Sequence, residues 1–274
     1  MAEVSSTLNI AHRGARSLAP ENTLAAARKA LEIGADMWEL DVCMTADGQL
    51  LILHDDTLER TSNARQVFPD RSPWNVSDFT LEEIRSLDFG SWFNEQDPFR
   101  QIAAGKVSTQ EQQSYVGEPA PTLQEALEFT RDNNWRVNVE IKDLTGQPGD
   151  ASVVEKVIDL IEELNMEDRV LISSFNPQYV QRSRIADANI SAAILVSEGD
   201  PDPAALVNRL QAQAYNPKLG SIRMDEVRSL RTQGIGVNVW TVNDPKQMQA
   251  LIEAGASGIF TDFPQVLKTL LLKE

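Results

Sequence analysis

The chain has 274 residues, and its 42% hydrophobic content is sufficient for a large core within one domain. Its 25 basic and 41 acidic residues give a net charge of −16, which repels nucleic acids and anionic membranes, so neither is an expected partner. The one cysteine excludes an internal disulfide, and the sequence shows no leader-like or membrane-spanning apolar run, so we expect a cytoplasmic protein.

Short apolar runs alternate with amphipathic helical patterns along most of the chain. The predicted strands are residues 8–12, 37–42, 137–142, 169–175, 190–196, 214–216, 236–242 and 257–262. The predicted helices are residues 23–33, 123–132, 153–164, two that begin at Asn176-Pro177 and Asp202-Pro203, then 224–232, one that begins at Asp244-Pro245, and 265–272. Eight strands alternating with helices predict an α/β fold, a parallel (β/α)8 TIM barrel, although an open doubly wound sheet would give the same periodicity.

One segment after the second predicted strand interrupts the alternation. The chain turns at Asp47-Gly48, forms a short apolar run over 50–54, and continues into a segment of about 55–118. This segment holds eight of the seventeen aromatic residues, which is typical of folded structure and not of a linker. We therefore expect one catalytic barrel domain over 1–274, with a small insertion that caps its C-terminal face. Within the insertion, residues 101–114 resemble a mobile loop.

Charged residues cluster at the ends of the predicted strands, where barrels of this kind hold their active sites. Glu39 and Asp41 lie two positions apart on one strand and therefore point to the same face, as do Glu140 and Lys142 on the next. Three carboxylates that point into the barrel need a neutralising cation, and an all-oxygen ligand set favours Mg²⁺ or Ca²⁺. Internal salt bridges with Lys142 or Arg13 are the alternative.

The only two histidines of the chain are both predicted at this mouth. His12 ends the first strand, and His54 follows the hairpin after the second. Imidazole exchanges protons near neutral pH, so one histidine can activate an attacking oxygen while the other protonates a leaving oxygen. Arg13 and Lys142 can then hold phosphate oxygens. The pattern predicts an acid–base pair around a metal-bound phosphate, with structural hydrogen bonding of the histidines as the alternative.

Several motifs together resemble the glycerophosphodiester phosphodiesterase family. They are HRG, PENT, GADMWELDV, TADG and HDDTLERT in the first 61 residues, then TLEEIRSLDFGSWF, PTLQEALEF, VNVEIKD, VWTVND and GIFTDFP. The resemblance implies a (β/α)8 barrel with a small insertion after the second strand. It also implies a metal-dependent enzyme that cleaves glycerophosphodiesters to sn-glycerol 3-phosphate and an alcohol.

The resemblance also implies roles for individual residues. These are acid–base catalysis for His12 and His54, metal binding for Glu39, Asp41 and Glu140, phosphate contact for Arg13 and Lys142, and a glycerol-side wall for Trp240. Asn22 and Asp262 match family positions too, but helix capping and strand-end hydrogen bonds explain them equally well. The head group, the choice between Mg²⁺ and Ca²⁺, the attacking nucleophile (water or the glycerol 2-hydroxyl) and the oligomeric state stay open.

Three other functions fit parts of the pattern. A phospholipase that cleaves phosphoinositides or sphingomyelin on the same barrel would pair two histidines, but it would need a membrane-docking surface that an acidic chain does not favour. A metal-dependent aldolase or isomerase would explain the carboxylates but not the histidines. A non-catalytic binding protein on this fold would be expected to have lost at least one of the polar residues, and none is lost.

Overall fold

The strands of the computed structural model, which describes residues 7–272, form a closed barrel. In this part of the chain the strands are β1 (Leu8–Ala11), β2 (Met37–Met44), β3 (Leu50–Ile52), β4 (Val137–Ile141), β5 (Val170–Ser174), β6 (Ser191–Val196), β7 (Ala214–Pro217), β8 (Gly236–Val239) and β9 (Gly258–Thr261). All neighbours pair in parallel except β3, which is antiparallel to the end of β2. Because β1 pairs with both β9 and β2, the predicted (β/α)8 barrel is confirmed and the open sheet is excluded.

The helices fall into a barrel set and an insertion set. The barrel helices are α1 (Leu24–Ile33), α6 (Leu123–Asp132), α7 (Val153–Glu163), α8 (Pro177–Ala186), α9 (Pro203–Leu210), α10 (Met224–Thr232), α11 (Pro245–Glu253) and α12 (Pro264–Leu271). The insertion helices are α2 (Ala64–Val67), α3 (Leu81–Ile84), α4 (Ser91–Gln96) and α5 (Thr109–Tyr115). Among residues 7–272, no helix is long and apolar enough to span a bilayer.

Capping side chains begin most of the barrel helices at the predicted places. The side chains of Asn176, Asp202 and Asp244 accept hydrogen bonds from backbone amides of the first turn, and proline follows each of them. Thr122 and Glu125 form the predicted capping box of α6. The predicted and observed ends of the barrel elements agree to within three residues.

The predicted loop over 101–114 is wrong in its second half. Helix α5 begins with a capping box between Ser108 and Glu111, which satisfies amides at its start. Tyr115 and Val107 are buried against the barrel, and the Tyr115 hydroxyl donates a hydrogen bond to the carbonyl of Leu18. The polar composition of this segment comes from its exposed face, so composition alone missed the helix.

The insertion packs on the barrel through aromatic side chains. Trp92 and Phe93 of α4 join Tyr115 in a cluster with apolar residues around the start of α1. Phe99 contacts Phe263, which follows β9, with ring centroids 5.6 Å apart. Residues of 55–118 therefore contact segments that follow the carboxyl ends of β1 and β9.

Candidate active site

Three carboxylates converge at the carboxyl ends of β2 and β4. The strand register places Asp41 beside Glu140 and Glu39 beside Asn138, and side chains in register on neighbouring strands point to the same face. One oxygen from each of Glu39, Asp41 and Glu140 lies within 4.8 Å of the others. The predicted convergence is therefore present, and Glu39 and Asp41 are almost fully buried.

Cationic side chains neutralise part of this triad. Lys142 Nζ lies 3.0 Å from Glu140 Oε1 and 3.6 Å from Asp41 Oδ1, and Arg13 Nε lies 3.3 Å from Asp41 Oδ2. Asn22 donates a 2.8 Å hydrogen bond to the same Asp41 oxygen. Burial alone would raise the pKa of Asp41, but Arg13 and Lys142 lower it to about 2. The internal salt bridges considered from the sequence do form: Arg13 pairs with Asp41, and Lys142 pairs with Glu140.

Two oxygens of the triad have no hydrogen-bond partner among the described residues. Glu39 Oε2 accepts a hydrogen bond from the Arg13 amide, but Glu39 Oε1 and Asp41 Oδ1 are buried without a hydrogen-bond donor among residues 7–272. Burial and repulsion by Asp41 raise the pKa of Glu39 well above its usual range, and the same causes raise that of Glu140. Unpaired carboxylate oxygens at this spacing fit a hard divalent cation such as Mg²⁺ or Ca²⁺.

His12 is held by a carboxylate from the last barrel strand. Its Nδ1 lies 2.7 Å from Asp262 Oδ1, and Asn243 donates a 2.7 Å hydrogen bond to the other oxygen of Asp262. Burial lowers the pKa of His12, although the bond to Asp262 opposes this shift. A hydrogen bond at Nδ1 orients the ring and leaves Nε2 as the reactive nitrogen.

His54 has the same arrangement, built from adjacent residues. Its Nδ1 lies 2.7 Å from Asp55 Oδ1, and Arg60 Nε lies 2.5 Å from Asp55 Oδ2. Despite burial, the contacts with His54 and Arg60 hold the pKa of Asp55 well below its usual range. Both histidines therefore have a paired, ionised carboxylate at Nδ1, which is an arrangement typical of acid–base catalysts.

Both histidines line one cavity of about 260 Å³ at the barrel mouth. Its polar lining includes Glu39, Glu140 and Arg13. Its apolar wall contains Trp240 and Phe175, whose rings meet edge to face at 5.4 Å. Trp240 Nε1 donates to the carbonyl of Asn216, so the indole presents an apolar surface to the cavity. The volume suits a small polar molecule with a short aliphatic part.

Several side chains around the site were not assigned a role from the sequence. Asp262 and Asn22 match family positions, but helix capping and strand-end hydrogen bonds explain them equally well from the sequence; the structure bonds them to His12 and Asp41. The sequence pattern assigns no role to Glu21 of the PENT motif, whereas in the structure its carboxylate contacts Arg13, Arg16 and Arg60. Asp55 could have been found from its position directly after His54.

Known proteins resemble the chain over nearly its full length. The model of the glycerophosphoryl diester phosphodiesterase family matches residues 12–266. A glycerophosphodiester phosphodiesterase of Caldanaerobacter subterraneus is 37% identical over 268 residues, which are 97% of this chain and 98% of that protein. One from Bacillus altitudinis is 33% identical, with 93% of this chain and 94% of that protein covered.

Solved structures agree with this likeness. An Oleispira antarctica phosphodiesterase in complex with the product sn-glycerol-3-phosphate superposes with a TM-score of 0.75 at 26% identity, covering 97% of this chain and 96% of that one. A glycerophosphodiester phosphodiesterase of Agrobacterium tumefaciens has a TM-score of 0.74 at 26% identity, covering 96% and 99%. The insertion and the candidate site residues, from His12 to Asp262, fall within the residues that the family model matches.

Proposed function

The chain belongs to the glycerophosphoryl diester phosphodiesterase family, and we propose that it hydrolyses glycerophosphodiesters to sn-glycerol 3-phosphate and an alcohol, with a divalent metal ion and histidine acid–base catalysis. One observation supports this proposal above the others. The two histidines, each with a carboxylate at Nδ1, line the same cavity as Glu39 and Glu140. A phosphodiester in this cavity would meet both proton-transfer groups and the carboxylate cluster at once.

Glu39, Asp41 and Glu140 would hold the metal ion. The unpaired buried oxygens of Glu39 and Asp41, and the raised pKa values of Glu39 and Glu140, support a divalent cation there. When bound, Mg²⁺ or Ca²⁺ supplies positive charge that stabilises the negative charge developing on the phosphate oxygens. Asn22 fixes the Asp41 carboxylate in its orientation through a 2.8 Å hydrogen bond.

The histidines would transfer the protons of the reaction. One Nε2 takes the proton of the attacking oxygen, which belongs to water or to the glycerol 2-hydroxyl, and the other Nε2 gives a proton to the departing alcohol oxygen. Attack by water gives sn-glycerol 3-phosphate directly. Attack by the 2-hydroxyl gives a cyclic phosphate, which water then opens with the two histidines in exchanged roles. Asp262 and Asp55 hold the two rings and stabilise each imidazolium as it forms. Either assignment of acid and base fits this geometry.

Arg13, Lys142 and Trp240 would position the substrate. Lys142 is bonded to Glu140 and is partly exposed, so its ammonium can also reach a phosphate oxygen next to that carboxylate. Arg13 lines the cavity while Glu21 and Asp41 hold its guanidinium. The apolar indole of Trp240 suits the carbon atoms of glycerol. The insertion over about 55–118 would cap this site, and the cytoplasmic location expected from the sequence remains a prediction.

The proposal is tested by a product assay on glycerophosphocholine. The expected products are sn-glycerol 3-phosphate and choline, measured separately, with activity lost in excess EDTA and restored by Mg²⁺ or Ca²⁺. Release of phosphocholine would contradict the proposed side of cleavage. Full activity after confirmed removal of the metal would contradict metal dependence. A His12→Ala/His54→Ala double variant serves as the matched control for contaminating enzymes.

A further inference from the structure

Glu21 is a buried carboxylate that contacts three arginines. Glu21 Oε1 lies 2.8 Å from Arg13 NH1 and 2.7 Å from Arg60 NH2, and Glu21 Oε2 lies 2.6 Å from Arg16 NH2. Its side chain is 2% exposed. Burial acts to raise the pKa of Glu21, but the three guanidinium groups together hold it well below its usual range. Glu21 is therefore ionised at the centre of a cationic cluster.

Each of the three arginines also contacts a different part of the site. Arg60 contacts Asp55, which holds His54. Arg16 NH1 lies 3.6 Å from Asp262 Oδ1, the oxygen that bonds His12, and 3.5 Å from His12 Nδ1 itself.

The third connection leads to the carboxylate triad. Arg13 contacts Asp41 through Nε, while its backbone amide donates to Glu39. The carboxylate of Glu21 is thus linked, through one arginine each, to the two histidine–carboxylate pairs and to the carboxylate triad.

The charges explain why a single carboxylate matters for all three connections. Three guanidinium groups close to one point repel each other unless an anion lies between them. A glutamine side chain has the same shape but cannot replace the anion. Its NH₂ group would face guanidinium groups, which only donate hydrogen bonds and cannot accept one. Loss of the Glu21 charge would therefore push the arginines apart and move Asp55 and Asp262 with them.

We propose that Glu21 is a positioning residue that sets the orientation of both His12 and His54, through Arg16 and Arg60 respectively. It touches neither substrate nor metal and acts only through the arginines and the side chains that these arginines contact. The inference deepens the proposed function and rests on it for the consequence in catalysis. The orientation of the two rings is independent of which substrate is cleaved.

The test uses the fact that the chain contains only two histidines. The Nδ1–H protons of two imidazoles bonded to carboxylates give low-field NMR signals, which can be assigned with His12→Gln and His54→Gln. In Glu21→Gln, both signals are expected to shift or disappear. In Arg60→Gln only the His54 signal should change, and in Arg16→Gln only the His12 signal.

Steady-state kinetics on glycerophosphocholine supply the second measurement. Misplacement of a catalytic group by about 1 Å can cost about 10²-fold in rate. We therefore expect kcat of Glu21→Gln to fall by about 10²-fold with little change in KM, and Glu21→Asp, which keeps the charge, to lose less. Glu155→Gln is the matched control, since it removes the carboxylate partner of Arg182 on the outer surface. It should leave kcat and both histidine signals unchanged.

Unchanged signals and unchanged kcat in Glu21→Gln would overturn the proposal. Equal changes of both signals in Arg60→Gln would also overturn it, because the two connections would not be separate. If Glu21→Gln fails to fold, the two arginine variants test the proposal: Arg60→Gln should change only the His54 signal, and Arg16→Gln only the His12 signal. If the signals respond as expected while the wild type does not cleave glycerophosphodiesters, the proposed function fails and the positioning role of Glu21 is retained.

Discussion

His12 and His54 reach the same arrangement from unrelated parts of the chain. His12 meets a carboxylate 250 residues away in sequence, whereas His54 meets the residue that follows it. Both bonds occupy Nδ1, so both rings are fixed by an anion and offer Nε2 to the cavity. At the residue scale, the two proposed proton-transfer groups therefore share one hydrogen-bonding arrangement, and they differ in burial, with His12 14% and His54 34% exposed.

Replacement of either histidine by alanine is expected to lower kcat by ~10²–10⁴-fold, with a smaller effect on KM, because positioned proton transfer acts in the transition state. A p-nitrophenyl phosphodiester needs little protonation of its leaving group. The variant that lacks the acid should therefore recover part of its activity on this substrate, and the variant that lacks the base should not. Parallel kinetics of His12→Ala and His54→Ala on both substrates measure this. Values of kcat within a few-fold of wild type for both variants would contradict acid–base catalysis.

The lowered pKa of His12 predicts a loss of stability in mild acid. The unfolded chain takes up a proton on His12 at its ordinary pKa of 6.5, while the folded protein takes it up only at a lower pH. Unfolding therefore becomes more favourable as the pH falls below 6.5 towards the folded value. Urea unfolding in chelator at pH 7.5 and pH 5 should show a larger loss for wild type than for His12→Gln. An equal loss in the two proteins would show that His12 does not contribute.

At the scale of elements, the turn between β1 and α1 brings the site and the barrel wall together. Gly14 has φ +78°, and a Cβ there would lie 2.7 Å from the carbonyl carbon and the Cβ of Ala26 in α1. Ala15 donates a backbone hydrogen bond to Ala26, so the turn lies directly on the helix. This close approach places Arg13 beside Glu39 and requires glycine at the next position.

Gly14→Ala is expected to destabilise the protein by roughly 2–5 kcal/mol, the sum of a left-handed backbone penalty and overpacking against α1. Gly255→Ala is the matched control. Gly255 has φ +79°, but a Cβ there would meet nothing within 4 Å among the described residues, so only the backbone penalty of about 1–2 kcal/mol applies. Urea unfolding measures both. Equal destabilisation of the two variants would mean that steric overlap between the new Cβ and α1 does not lower the stability of Gly14→Ala.

At the scale of the whole molecule, the pairing of β2 with β4 holds three mutually repelling carboxylates close together. The strands that hold Glu39, Asp41 and Glu140 are adjacent in the sheet although β2 and β4 are about ninety residues apart in the chain. The folded protein must therefore tolerate this cluster or neutralise it. A bound divalent ion would make the completed barrel more stable than the metal-free one.

Addition of Mg²⁺ or Ca²⁺ to chelator-treated protein is expected to raise Tm. At a metal concentration of about 100 times Kd, the gain of about 2.7 kcal/mol corresponds to roughly 5–10 °C for a protein of this size. Glu140→Gln should bind the ion at least about 10-fold more weakly, yet remain folded, because repulsion among the remaining carboxylates also falls. Calorimetric titration and thermal unfolding with and without metal check this. If Glu140→Gln binds the metal with unchanged affinity, Glu140 is not a ligand and the metal binds at another site.

The sequence by itself determined the strands and helices of the barrel and the identity of the main polar residues. Caps such as Asn176 and Asp244, with proline after each, act on the first turn of their own helices, so a contiguous segment is sufficient to predict them. The alternation of side chains along a strand likewise showed that Glu39 and Asp41 share a face. These are local properties, and local signals predicted them.

The tertiary structure decided which of these residues act together. The pairing of β1 with β9 closes the barrel and brings Asp262 to His12, and this pairing depends on contacts across the whole chain. The three arginines around Glu21 come from two separate segments, and their convergence has no local signature. Long-range contacts of this kind depend on strand register and on packing between distant elements, so they become visible only when the barrel has closed.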